Sequence, residues 1–119
     1  MAELKHNGGI VDAVLELGFD QVKYFEGDIG STATGFTIDP PARRLQLTNR
    51  SESEDVYFRV NGGTATTDVG FVPGDNIKLG PGCSFTMDYD ILTEISLVTA
   101  GATVPVEGLL GWKGTRGNC

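Results

Sequence analysis

Histidine is almost missing from this chain of 119 residues: there is one, His6. A Ser-His-Asp or Cys-His catalytic arrangement has nothing to form around, unless His6 itself serves, and it lies in a short polar N-terminal stretch. Cysteine is scarce too. Cys83 and Cys119 do not form a metal-ligand spacing and read as two free thiols or as a bridge that ties down the tail. No apolar run approaches the roughly 18 residues of a membrane-crossing helix. The opening "MAELKHNGG" lacks the apolar stretch of a secretion signal, so synthesis in the cytosol is expected. Positive charge is in short supply, with 9 Lys and Arg against 16 Asp and Glu and a net charge of −7. Such a body repels phosphate, which argues against nucleic acid as a partner. "NGG" at 61–63 follows a strand pattern but has no P-loop lysine and no dinucleotide-binding spacing. "ESED" (52–55) and "DYD" (88–90) would bind calcium only if they met in space, and neither has the spacing of an EF-hand loop. These absences predict no catalytic residues, no metal site and no cofactor: a protein that is not an enzyme.

What is present is alternation. Leu45 and Leu47, Val56 and Phe58 and Val60, Phe85 and Met87 and Tyr89, Ile95 and Leu97, and Val104 and Val106 each recur at every second position. Period two over five segments predicts five strands with one dry face. "VKYFEG" (22–27), "GFTID" (35–39) and the short "IKL" (77–79) add three further candidates. Pro-Gly and Gly-Pro-Gly at 73–74 and 80–82 mark turns. "TAGA" (99–102) fits a short hairpin connection, "DPP" (39–41) a break before the main sheet, and Pro105 an edge strand or a bulge. The expected class is all-β: an antiparallel β-sandwich or jelly roll spanning residues 21–112, with an N-terminal arm or short helix over 1–20 and a tail over 113–119.

Three places invite contact with a partner. The first is the arm. Ile10 pairs with Val14 and Val11 with Leu15 at helical spacing, Leu17 and Phe19 continue the apolar character, and an extended arm fits as well as a short helix. The second is the uncharged run Asn61, Gly62, Gly63, Thr64, Ala65, Thr66, Thr67, too long for a tight hairpin. Tyr57, on the opposite face of its strand from Phe58, belongs with it as a contact candidate or a half-exposed surface tyrosine. The third is "GLLGWKGTRGNC", where Leu109, Leu110, Trp112 and Arg116 form either a docking arm with a positive end or a last strand folded onto the sandwich.

The stretch "LQLTNRSESEDVYFRVNGGTATTDVGF…PG…LTEISLVTAGATVPVEGLLGW" resembles small virion proteins of tailed bacteriophages. The likeness rests on Leu47-Thr48-Asn49 with Ser51, Val56 to Val60, Gly62 to Thr67, Gly70-Phe71 with Pro73-Gly74, and Leu92 to Val98. It covers about residues 45–112. It implies a capsid decoration (cement) protein on the outside of the virion, made in the host cytoplasm. Such a protein would bridge major capsid protein subunits without catalysis, as a homo-oligomer for which a trimer is the natural guess. The alternatives are a neck, tail or fibre-base component and, in another class, a sugar- or calcium-binding jelly-roll module.

Overall fold

The computed structural model describes residues 21–112. The N-terminal segment with Ile10, Val14, Leu17 and Phe19, and the tail with Arg116, lie outside the described residues. Six strands follow one another: β1 (Gln21–Ile29), β2 (Thr34–Asn49), β3 (Val56–Val60), β4 (Ile77–Leu79), β5 (Ser84–Val98) and β6 (Val104–Trp112). They form one antiparallel sheet in the order β1-β6-β2-β5-β3-β4. The all-β, jelly-roll-like architecture expected from the alternation is the one present.

Two long strands make the sheet double over. The second half of β2, Arg44 to Asn49, pairs with β6 on one side and with Thr86, Met87 and their neighbours in β5 on the other. The first half, Thr34 to Thr37, pairs with Glu94 to Leu97 of β5, and that part of β5 pairs with β3. Between the halves the register slips twice, between Thr37 and Ala42 and again between Ala42 and Arg44. Residues 38–41 of β2 thus face the single residue Thr93, and residues 89–91 of β5 face the single residue Arg43. Paired bulges of this kind bend both strands. Layer one is β1, β6 and the inner ends of β2 and β5; layer two is the other ends with β3 and β4.

Contacts across the gap hold the layers together. Phe58 of layer two meets Phe85 of layer one edge to face at 5.0 Å, and Phe25 meets Phe36 in the same way at 5.1 Å. Leu45, Leu47, Val106 and Leu110 join Val56, Phe58, Ile95 and Leu97 in one buried cluster. Burying each such side chain is worth roughly 1.5–3 kcal/mol. Asn49, fully buried at the end of β2, donates through its Nδ2 to the carbonyls of Glu54 and Leu79 and accepts from the Ser51 N–H. It ties layer one to β4 of layer two.

Several expectations are corrected here. "DPP" does not end a strand. Pro40 and Pro41 lie in the unpaired part of β2, where no ladder N–H is required, and the strand runs on through them. "TAGA" is not a hairpin, because β5 and β6 are not neighbours. It carries the chain from layer two back to layer one, with the Thr99 N–H bonded to the Gly30 carbonyl at 2.9 Å. Pro105 is not on an edge strand, since β6 lies between β1 and β2. It falls one step past the last β2–β6 pair, Asn49 with Val106, where the Arg50 N–H still reaches its carbonyl at 2.8 Å. A missing donor at the end of a ladder costs little.

The "docking arm" reading of Leu109 and Leu110 is also overturned. Both are buried in β6, Leu110 paired with Leu45 and Leu109 with Gln46. Trp112 closes β6 from inside. Its indole N–H donates to the Pro40 carbonyl at 2.7 Å, and Lys23 lies over its ring at 5.7 Å. It latches layer one to the bulge of β2.

Candidate interaction surface

The uncharged run after β3 does not hang free. Asn61 takes the left-handed conformation, φ 59°, and its N–H donates to the Glu94 carbonyl at 3.0 Å. Its side chain then extends the β3–β5 ladder: Nδ2 donates to the Ile91 carbonyl at 2.8 Å and Oδ1 accepts the Thr93 N–H at 2.8 Å. Those backbone groups sit where β5 has slipped against β2. Asn is suited to this task, having a short amide and tolerance of positive φ. Gly62 and Gly63 follow at φ 119° and 86°, turning the chain back over the outer face of layer two. A Cβ on Gly63 would meet the Arg59 guanidinium at 2.6 Å, so that group lies flat against the backbone and donates to the Gly62 carbonyl.

The strap continues along the sheet. The Ala65 N–H donates to Ser96 Oγ at 2.9 Å, and Ala65 is buried. Asn76, from the returning side of the loop, accepts the Thr66 N–H and donates to Thr66 Oγ1 and to the Asp68 carbonyl. Arg59 Nη2 reaches Asp75 at 3.1 Å. Small side chains are required here because the strap lies directly on the sheet. Thr64, Thr66 and Thr67 remain exposed, and Tyr57 is half-buried between Val98 and Lys78 on the same outer face. A shallow groove of about 380 Å³ runs beside the strap, lined by Ala33, Ala65, Thr66, Thr67, Val98 and Ala100 with no charged residue.

Beyond the pinned part the chain stands out from the body. Among the described residues, no hydrogen bond reaches residues 69–74. Val69 is exposed, Phe71 fully so, and Val72 is 84% exposed. The contact expected from the sequence, the uncharged run from Asn61 to Thr67, stops short of Phe71 and Val72. The available signal was that "VGFVPG" neither alternates nor has a strand to pair with.

A second feature lies on layer one. Tyr24 Oη donates to Glu107 Oε2 at 2.6 Å, and Arg50 donates to the other carboxylate oxygen. Glu107 and Arg50 border a cleft of about 510 Å³ with Glu26 and Asp28. The two donors, Tyr24 first, hold the Glu107 carboxyl below its ordinary range. The Tyr24 hydroxyl is pushed up to about 12, chiefly because it donates to Glu107. Both shifts move these groups away from neutrality, which does not suit a general acid or base at pH 7. The depressed Glu107 contributes stability above its unfolded pKa and loses it as pH falls through the folded one. The raised Tyr24 contributes stability below about 10 and loses it as pH rises through about 12. Tyr89 is also raised, by burial. In an alkaline titration followed by phenolate absorbance, Glu107→Gln is expected to bring one tyrosine back from about 12 toward 10. An unchanged titration curve would show that the Tyr24–Glu107 bond is not made in solution.

Comparison with known proteins adds the fold alone. No family model matches the chain, and no curated protein sequence matches it. Among solved structures, it is similar to the cupin domain of an XRE family transcriptional regulator from Enterobacter cloacae: TM-score 0.52, 10% identity, covering 78% of this chain and 83% of that one. It is also similar to a de novo designed double-stranded β-helix: TM-score 0.45, 15% identity, covering 76% of this chain and 97% of that one. A further match is Streptomyces albus HEPD, solved with substrate and Fe(II): TM-score 0.49, 17% identity, covering 82% of this chain and 19% of that one. This chain has only His6, outside the described residues, and among those described no three His, Cys, Asp or Glu gather closely enough to hold a metal ion. The chain has a cupin-like, jelly-roll fold.

Proposed function

We propose that the chain is a non-enzymatic structural protein of a tailed-phage particle, a decoration protein that seats on major capsid protein subunits and bridges them. The observation that carries this reading is the pinned strap. Residues 61–68 present Thr64, Thr66 and Thr67 on an outer face with a groove free of charge beside it. Small uncharged side chains lose little on desolvation and let another backbone approach closely. Because Asn61, Arg59 and Asn76 already fix the strap, little conformational freedom remains to be lost on binding. The resemblance of residues 45–112 to small virion proteins supports the same class. Oligomerisation, as a trimer at a capsid three-fold, would add many weak contacts through effective concentration.

The test is to add purified protein to capsids assembled without it. Saturable binding and a gain in heat resistance are expected. Capsids that neither bind the protein nor melt later would refute the reading. Copy number separates the neck or tail alternative, with hundreds per particle for decoration and six or twelve for a ring.

A further inference from the structure

We infer that the Phe71–Val72 tip is the anchor of this contact, and that its partner is a protein pocket with apolar walls and a basic rim. This inference rests on the capsid-binding reading above and assigns the residues and the partner chemistry. A fully exposed phenylalanine beside an 84% exposed valine has no stabilising role in the isolated chain. Aromatic side chains buried in a partner's pocket are the usual source of binding energy at interfaces.

The base of the tip is stiff and the tip itself is clear of the body. Asn76 clamps Thr66 and Asp68 on one side, and Arg59 clamps Asp75 on the other, so residues 69–74 project from a closed neck. Apart from Arg59 at the neck, the charges carried by the loop are acidic. Between Arg59 and Lys78 the sequence contains no Lys or Arg, and the charged residues there are Asp68 and Asp75. The Asp68 carboxylate has no partner among the described residues, and the Asp75 side chain remains 76% exposed beside Arg59. An acidic collar around an apolar knob is complementary to a hydrophobic pocket edged by Lys or Arg. The same collar opposes a membrane with anionic lipids and opposes a second copy of this acidic chain.

The test uses the capsid-binding assay with Phe71→Ser, Val72→Ser and Asp68→Asn in the full chain, beside Met87→Ser as an exposed apolar control on the layer-one part of β5. Thermal melting of all four should match the unsubstituted protein, since these side chains are exposed. Phe71→Ser is expected to weaken capsid binding by about thirtyfold or more. Asp68→Asn should slow association and flatten its dependence on salt, and Met87→Ser should bind normally. Unsubstituted protein that binds capsids, with Phe71→Ser binding equally well, would overturn the anchor while leaving the capsid reading intact. Unsubstituted protein that fails on capsids would remove both. Binding of the unsubstituted chain to phosphatidylcholine vesicles, lost in Phe71→Ser, would assign the tip to a lipid surface and overturn the protein pocket.

Discussion

Replacing Asn49 by Ala should lower the free energy of unfolding by about 3 kcal/mol, read from the midpoint of urea denaturation at unchanged slope. The residue is completely buried, and its side chain makes three hydrogen bonds. Truncation leaves the Leu79 and Glu54 carbonyls and the Ser51 N–H to find other partners. Each buried group left unsatisfied costs about 1–3 kcal/mol. Water reaching the exposed turn at Glu54 recovers part of this, so the sum is less than three full penalties. Asn49→Asp is expected to be at least as damaging, because the carboxylate cannot donate to either carbonyl and its charge would be buried without a partner. A midpoint shift within error of zero would mean that the tie between β2 and β4 is not formed.

Gly35→Ala is the second large effect. Gly35 pairs with Ser96 where β2 and β5 run side by side in layer two. A Cβ there would lie 2.3 Å from the Ile95 carbonyl oxygen and 3.1 Å from the Ser96 Cα. Both obstacles are backbone, so no side-chain rotation relieves the clash, and the strands must part. Overpacking typically costs 1–3 kcal/mol and more where nothing can yield; about 3 kcal/mol or more is expected here. The accompanying sign is faster amide exchange at residues 34–37 and 94–97. Normal stability with native exchange at these positions would contradict the described approach of the two strands.

Most of the strand content was legible because half-buried strands repeat every two residues. Leu45 and Leu47, Val56 and Phe58, and Ile95 and Leu97 all point to the core as alternation demands. The continuity of β2 and β5 was not legible. Pro40 and Pro41 look like a break, and only the compensating slip in β5 lets one strand pass through them. Leu109 and Leu110 misled for a different reason. Two consecutive apolar residues break the period of two, but β6 is screened on both faces at that point, so both are buried. At the contact surface, the small residues of the strap were visible, while their reason was hidden: they lie against Ser96, more than thirty positions away in sequence. For Phe71 and Val72 the one sign was the lack of alternation in "VGFVPG", and it was masked because an apolar pair before Pro-Gly reads equally well as a strand end entering the core.

The placement of β6 sets a condition on how the chain reaches this state. Among the described residues β1 has no neighbour in the sheet except β6, and in chain order β6 comes after the five other described strands. Until Val104–Trp112 is available, β1 and the inner end of β2 are held apart by a gap one strand wide, with Phe25 uncovered. Closing layer one brings together Val22 and Gly111 across a loop of about ninety residues, a distant pairing of the kind that slows folding.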